Sequence, residues 1–153
     1  MICGIHHAAI STPDLERCID FYTRLFGFEV VMNGGWPKGA DELDDLVGLE
    51  GSSTDVAMIR LGTSMIEVFQ YTSPPPAPVD PDRPVNDHGI THICIHVKDL
   101  QGEYERLSAA GMRFNSEPKE LSPTTVCVYG RDPDGNVLEL IELKDPSDPI
   151  AVA

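Results

Sequence analysis

Two histidines and two glutamates stand out because they recur in the same local setting. Gly4-Ile5-His6-His7-Ala8-Ala9-Ile10 returns as Gly89-Ile90-Thr91-His92-Ile93-Cys94-Ile95, and Asp14-Leu15 returns as Asp99-Leu100, all at one offset of 85 residues. Further along, Met65-Ile66-Glu67-Val68-Phe69 matches Val137-Leu138-Glu139-Leu140-Ile141 in pattern. Side chains alternate across a strand, so His7 shares a face with Ile5, Ala9 and Ser11, and His92 shares one with Ile90, Cys94 and His96. Glu67 lies on a face with Met65, Phe69 and Tyr71, and Glu139 with Val137, Ile141 and Leu143. An ionised carboxylate in such apolar company is costly unless it is paired or bound to a metal. Each copy offers one imidazole and one carboxylate, so His7, Glu67, His92 and Glu139 together read as the ligands of one divalent metal ion. Taken singly, each would be read as a hydrogen-bonded histidine or a salt-bridged carboxylate; the duplication is what favours ligation. Ser11, Phe69, Tyr71 and His96 are the candidates to line a pocket beside them, while His6 and His88 lack a repeat partner and read as surface residues.

The elements that must position these residues follow from pattern and punctuation. Residues 3–11 have the apolar character of a strand. Thr12 can then cap a helix over 13–26, whose apolar Leu15, Ile19, Tyr22, Leu25 and Phe26 recur at spacings of three and four. Gly27 permits the turn into a strand over 28–32. Residues 33–39, rich in glycine and holding Trp36, read as a loop with a packed tryptophan or a mobile lid, and 41–47 as a short acidic helix. A hairpin over 54–71 turns at Gly62-Thr63. The run Ser73-Pro74-Pro75-Pro76-Ala77-Pro78 predicts an extended, semi-rigid connector. The second copy repeats strand, helix over 100–110, and a hairpin through Asp132-Pro133-Asp134-Gly135. The expected organisation is thus a first βαβββ module over 1–72 with an insertion at 33–50, a connector over 73–88, a second module over 89–145 and a tail over 146–153, giving an α+β fold.

Composition narrows the partners. A chain of 153 residues is long enough to bury a core without covalent staples. Its formal charge of −14 repels phosphate backbones and anionic lipid, which argues against nucleic acid as a partner. No run approaches the length of a membrane span. The first residues lack a basic segment followed by an apolar run, so the cytoplasm is the default expectation. Cys3, Cys18, Cys94 and Cys127 show no paired spacing and read as reduced, small buried hydrophobes.

With these residues in hand, the sequence resembles the vicinal oxygen chelate superfamily, which includes glyoxalases, bleomycin-resistance proteins and extradiol dioxygenases. The carriers are Ile5 to Ile10 followed by Asp14-Leu15, Phe21-Tyr22 and Leu25-Phe26-Gly27-Phe28, then Gly89 to Ile93 and Arg131-Asp132-Pro133-Asp134-Gly135-Asn136-Val137-Leu138-Glu139-Leu140. The resemblance implies two tandem βαβββ modules forming a curled mixed sheet around a metal cleft, and a homodimer. It implies a divalent-metal-dependent enzyme of glyoxalase or epimerase type, lyase or isomerase, in which Glu67 or Glu139 takes a proton next to a metal-held oxygen of a small carbonyl or thioester substrate. Nickel, zinc, cobalt, manganese and iron all suit two histidines and two glutamates. The strand after His7 lacks the arginine that glutathione-dependent members use, and no basic cluster marks a coenzyme A site. Two alternatives stay open. An extradiol-type dioxygenase needs only two histidines and one glutamate, and a drug-sequestering protein needs no metal ligands.

Overall fold

The computed structural model describes residues 1–151 and divides into two compact units, Met1–Pro78 and Val79–Ala153. The fold is α+β, with one mixed sheet in each unit. In the first unit, β1 (Ala8–Ser11) leads to helix α1 (Leu15–Phe26), then to β2 (Glu29–Trp36), the short helix α2 (Asp41–Val47), β3 (Ser53–Leu61) and β4 (Ser64–Ser73). The strand order is β1-β4-β3-β2, with β1 parallel to β4 and the other neighbours antiparallel. In the second unit, β5 (Ile93–His96) and α3 (Leu100–Ala109) precede β6 (Arg113–Phe114), β7 (Lys119–Ser122), β8 (Thr125–Arg131) and β9 (Val137–Leu143). Here β5 pairs in parallel with β9, β9 with β8, and β8 with both β6 and β7.

One face of each sheet packs against its helix and carries most of the core; the other, more open face has a smaller buried set, Val56 and Met58 on β3, Cys127 on β8 and Val137 on β9. Ile66 and Val68 on β4, with Ala57 and Ile59 on β3, are buried together with Cys18, Phe21, Tyr22 and Leu25 of α1. This is the stripe that the helical periodicity picks out. Leu138 and Leu140 on β9 are buried in the same way as Leu100 and Leu107 of α3. Glu67, Phe69 and Tyr71 on β4 and Glu139 and Ile141 on β9 face the opposite side and are only partly buried.

Each helix start is tied to the strand that carries the glutamate. The Leu15 amide donates to Gln70 Oε1 at 2.6 Å, and the Asp99 and Leu100 amides donate to the Glu142 carboxylate at 3.2 and 3.1 Å. Gln70 and Glu142 each stand three residues after the candidate ligand, so the repeat extends to the caps.

The structure departs from the sequence expectations at several points. Strand β1 begins at Ala8, not Cys3, and α1 is capped by Asp14, whose carboxylate accepts from the Arg17 amide, while Thr12 instead accepts from the Asp14 amide. The expected loop over 33–39 is strand as far as Trp36, with Asn33, Gly34 and Gly35 in register with Ala57, Val56 and Asp55. Gly35 has φ +141°, and a Cβ there would lie 2.3 Å from the Thr54 carbonyl oxygen, so the glycine is what lets the strand pass. In the second unit the strand following the helix is split into β6 and β7. The connector is not a free spacer throughout: from Val79 it belongs to the second unit. Arg131 donates to the carbonyls of Gly135 and Arg83, both at 2.8 Å, and Asp82 pairs with Arg113 at 2.9 Å. All four cysteines are free, but Cys3 and Cys94 are exposed rather than buried. Of the expected tail, residues 152 and 153 lie outside the described residues. No described helix is long and apolar enough to cross a membrane.

Candidate metal centre

The two halves build the same arrangement. In β1, Ala9 is the register partner of Glu67; in β5, Cys94 is the register partner of Glu139. The histidine lies two residues before that partner in both, which turns it toward the glutamate of the neighbouring strand. His7 Nε2 is 3.1 Å from Glu67 Oε2, and His92 Nε2 is 3.1 Å from Glu139 Oε2. All four side chains are partly shielded from solvent, Glu139 most of all.

The other ring nitrogen of each histidine also has a neighbour. His92 Nδ1 is 2.8 Å from Thr91 Oγ1, and His7 Nδ1 is 2.8 Å from His6 Nδ1. A proton held at Nδ1 leaves the Nε2 lone pair directed at the carboxylate side, which is how metal-binding imidazoles are normally oriented. Thr91 and His6 adjoin these histidines in sequence, and His6 is exposed, as expected of a surface residue. Each half therefore presents one imidazole nitrogen and one carboxylate oxygen, a donor pair suited to a first-row divalent cation. Among the described residues, no group of three or more His, Cys, Asp or Glu side chains could hold a metal ion.

The surroundings of the two glutamates differ. Glu139 faces Tyr129, its register partner on β8, and Tyr129 packs edge-on against the His92 ring at 5.1 Å. Desolvation, followed by the charge of Glu139, pushes the Cys94 thiol up to about 12 although the residue as a whole is exposed. The same two causes raise Cys127 and Tyr129 above their ordinary values. Thiols and phenols raised in this way stay neutral beside the carboxylate. Opposite Glu67 stands Met58, and Ala9 takes the place of Cys94. Glu67 instead has Phe69 and Tyr71 along its own strand, with Tyr71 raised by desolvation and then by the Glu67 charge. Ser11 and His96 both lie on these strands and are exposed.

The sequence matches the model of the "Glyoxalase/Bleomycin resistance protein/Dioxygenase superfamily" over residues 4–140. The chain belongs to that superfamily. A 2-epi-5-epi-valiolone epimerase from an Actinomyces species is 30% identical over 147 residues, covering 92% of this chain and 79% of that protein. A lactoylglutathione lyase from Neisseria meningitidis is 26% identical over 146 residues, covering 95% and 94%. Among solved structures, a glyoxalase family protein from Bacillus cereus superposes with a TM-score of 0.85 at 20% identity, covering 95% of this chain and 97% of that one, which supports the fold. The glyoxalase-superfamily relatives that carry functional names include enzymes, an epimerase and lyases, and they support an enzymatic role here.

Proposed function

We propose that this glyoxalase-superfamily chain is a divalent-metal-dependent enzyme that removes a proton from the carbon beside a carbonyl of a small substrate and returns it, giving isomerisation or epimerisation. His7, Glu67, His92 and Glu139 would hold the cation, with Glu67 or Glu139 serving also as the base. The observation that carries this is the repetition of one geometry: an imidazole Nε2 at 3.1 Å from a carboxylate oxygen, once in each half, on the open face of each sheet. When bound, the cation would supply Lewis-acid stabilisation of charge developing on the substrate oxygen.

The protein groups divide the remaining work. The glutamate that accepts the proton must reach the carbon and return the proton to either face, which requires freedom to swing. Glu139 is the more buried carboxylate and is flanked by Cys94 and Tyr129 on the neighbouring strands, while Glu67 has Ala9 and Met58 in those places and more room to move. Named relatives in both the epimerase and lyase classes support proton transfer as the common step. The reading admits two routes to the quartet, both halves of one chain or halves from two chains of a homodimer.

The test is proton exchange followed by NMR in D2O, with metal-loaded protein and a panel of small cyclic and open-chain 2-hydroxy ketones. Exchange at the carbon beside the carbonyl is expected with wild type, and none with Glu67→Gln or Glu139→Gln, each folded by circular dichroism. Full exchange in both variants would refute the scheme.

A further inference from the structure

Three aromatic rings sit on the open face of the first sheet beside Glu67 and remain partly exposed. Phe69 and Tyr71 follow Glu67 at alternate positions of β4 and are stacked, with centroids 5.4 Å apart and planes at 19°. Trp36, at the end of β2, stands edge-on to both, at 6.3 Å from Phe69 and 6.2 Å from Tyr71. Their cross-strand neighbours on this face, Thr54, Val56 and Met58, are buried, whereas the three rings themselves remain partly exposed. They form a wall above a small buried floor.

The indole is held in place by a directed chain of hydrogen bonds. Trp36 Nε1 donates to Ser52 Oγ at 2.7 Å. Ser52 is fully buried, and its hydroxyl in turn donates to Asp44 Oδ1, which also accepts from the Ser52 amide at 2.8 Å. Asp44 Oδ2 accepts from the Gly51 amide at 2.8 Å. Asp44 belongs to α2, so this small insertion helix sets the orientation of a ring on the open face through one buried serine.

We propose that Trp36, Phe69 and Tyr71 form the specificity wall of the site and take the C–H face of an uncharged cyclic ketone, with Trp36 the specificity-determining residue and Asp44 a positioning residue acting through Ser52. Aromatic faces carry partial negative charge and accept polarised C–H groups. The adjacent Glu67 carboxylate and the overall charge of −14 disfavour anionic substrates at this wall. The proposal rests on the proton-transfer reading only for the ketone; the wall itself needs no metal.

Trp36 is the one tryptophan of the chain, so its emission reports on the wall directly. The probes are 2-hydroxycyclohexanone and its open-chain counterpart acetoin, titrated into metal-loaded and chelator-treated protein. The cyclic probe is expected to give a saturable emission change in both preparations. Phe69→Ala and Tyr71→Ala should each raise its Kd by about fivefold, the scale of one aromatic contact, and that for acetoin by less than about twofold. By calorimetry, Trp36→Ala should weaken the cyclic probe by about tenfold and Trp36→Phe by less than about threefold. Asp44→Asn should raise both the Kd and the acrylamide quenching of Trp36. The proposal is overturned if the folded Phe69, Tyr71 and Trp36 variants bind the ring as wild type does, or if Asp44→Asn changes neither quantity. Absence of metal uptake with intact ring binding would sink the proton-transfer reading and leave the wall standing.

Discussion

Replacing either of the two neighbouring glycines of β2 by alanine should give opposite outcomes. At Gly35 the backbone has φ +141°, a region that side chains other than glycine's rarely adopt, and an added Cβ would meet the Thr54 carbonyl oxygen at 2.3 Å and Asp55 Cα at 3.0 Å. Both contacts are backbone, so no rotamer change relieves them. The conformation alone costs on the order of 1–3 kcal/mol. Separating β2 from β3 locally sacrifices one or two ladder hydrogen bonds at roughly 0.5–1.5 kcal/mol each. Together these give a loss of about 2–5 kcal/mol, or a fall in Tm of roughly 5–20 °C for a chain of this size. At Gly34 the nearest atom to an added Cβ is Val56 Cγ1 at 3.6 Å, an ordinary contact. Gly34→Ala should therefore leave Tm within about 3 °C of wild type, with a gain possible from the stiffer unfolded chain. Scanning calorimetry measures both, and the emission of Trp36 should shift to the red only in Gly35→Ala, because that residue directly precedes it. Equal changes in Tm for the two variants would refute the assignment of Gly35 as the residue that lets the strand pass.

Further outcomes follow from other parts of the molecule. Asp132 is 2% exposed and accepts from the Asp134 and Asn136 amides and from Asn136 Nδ2, so Asp132→Asn should cost about 1.5–3 kcal/mol in urea unfolding; a midpoint matching wild type would contradict this. Hydrogen bonds from Ser52 and Gly51 hold the Asp44 carboxyl below its ordinary range, so its contribution is complete above the ordinary carboxylate pKa and fades as pH falls through the lower folded value. Trp36 emission should accordingly stay constant from pH 7 to about 4 and change only below it; a transition centred at ordinary carboxylate values would refute the linkage. With Cys94 pushed up to about 12, chelator-treated protein at pH 8 should alkylate at exposed Cys3 well before Cys94, read by peptide mass spectrometry; the reverse order would contradict the desolvation of the Cys94 thiol beside Glu139.

How far the sequence alone could reach depends on whether a feature is local. The duplicated segments around His7 and His92, the amphipathic stripe of α1 and the Gly62-Thr63 hairpin are set by spacing within short windows, and the structure shows the expected helix and hairpin. The alternation along β4 likewise anticipates Glu67, Phe69 and Tyr71 on one face. What was illegible depends on distant partners. Asn33-Gly34-Gly35 reads as loop until β3 is placed beside it with room for no side chain at Gly35. The connector reads as a spacer because its contacts come from Arg113, Arg131 and Gly135, far along the chain, where a Cβ on Gly135 would lie 2.4 Å from Pro81. The neighbours of Glu139 come from two other strands, Cys94 from β5 and Cys127 and Tyr129 from β8, and thiols without paired spacing give no warning that two of them stand beside one carboxylate.

In the proposed scheme one imidazole and one carboxylate from each module bind a common cation. Elemental analysis of protein purified without chelators, alongside the His92→Ala and Glu67→Gln variants, measures this. One divalent metal ion is expected for each pair of modules in wild type, with substantial loss of metal from either folded variant. Wild-type protein that remains metal-free after incubation with nickel, zinc, cobalt, manganese and iron, while still exchanging the substrate proton, would contradict it.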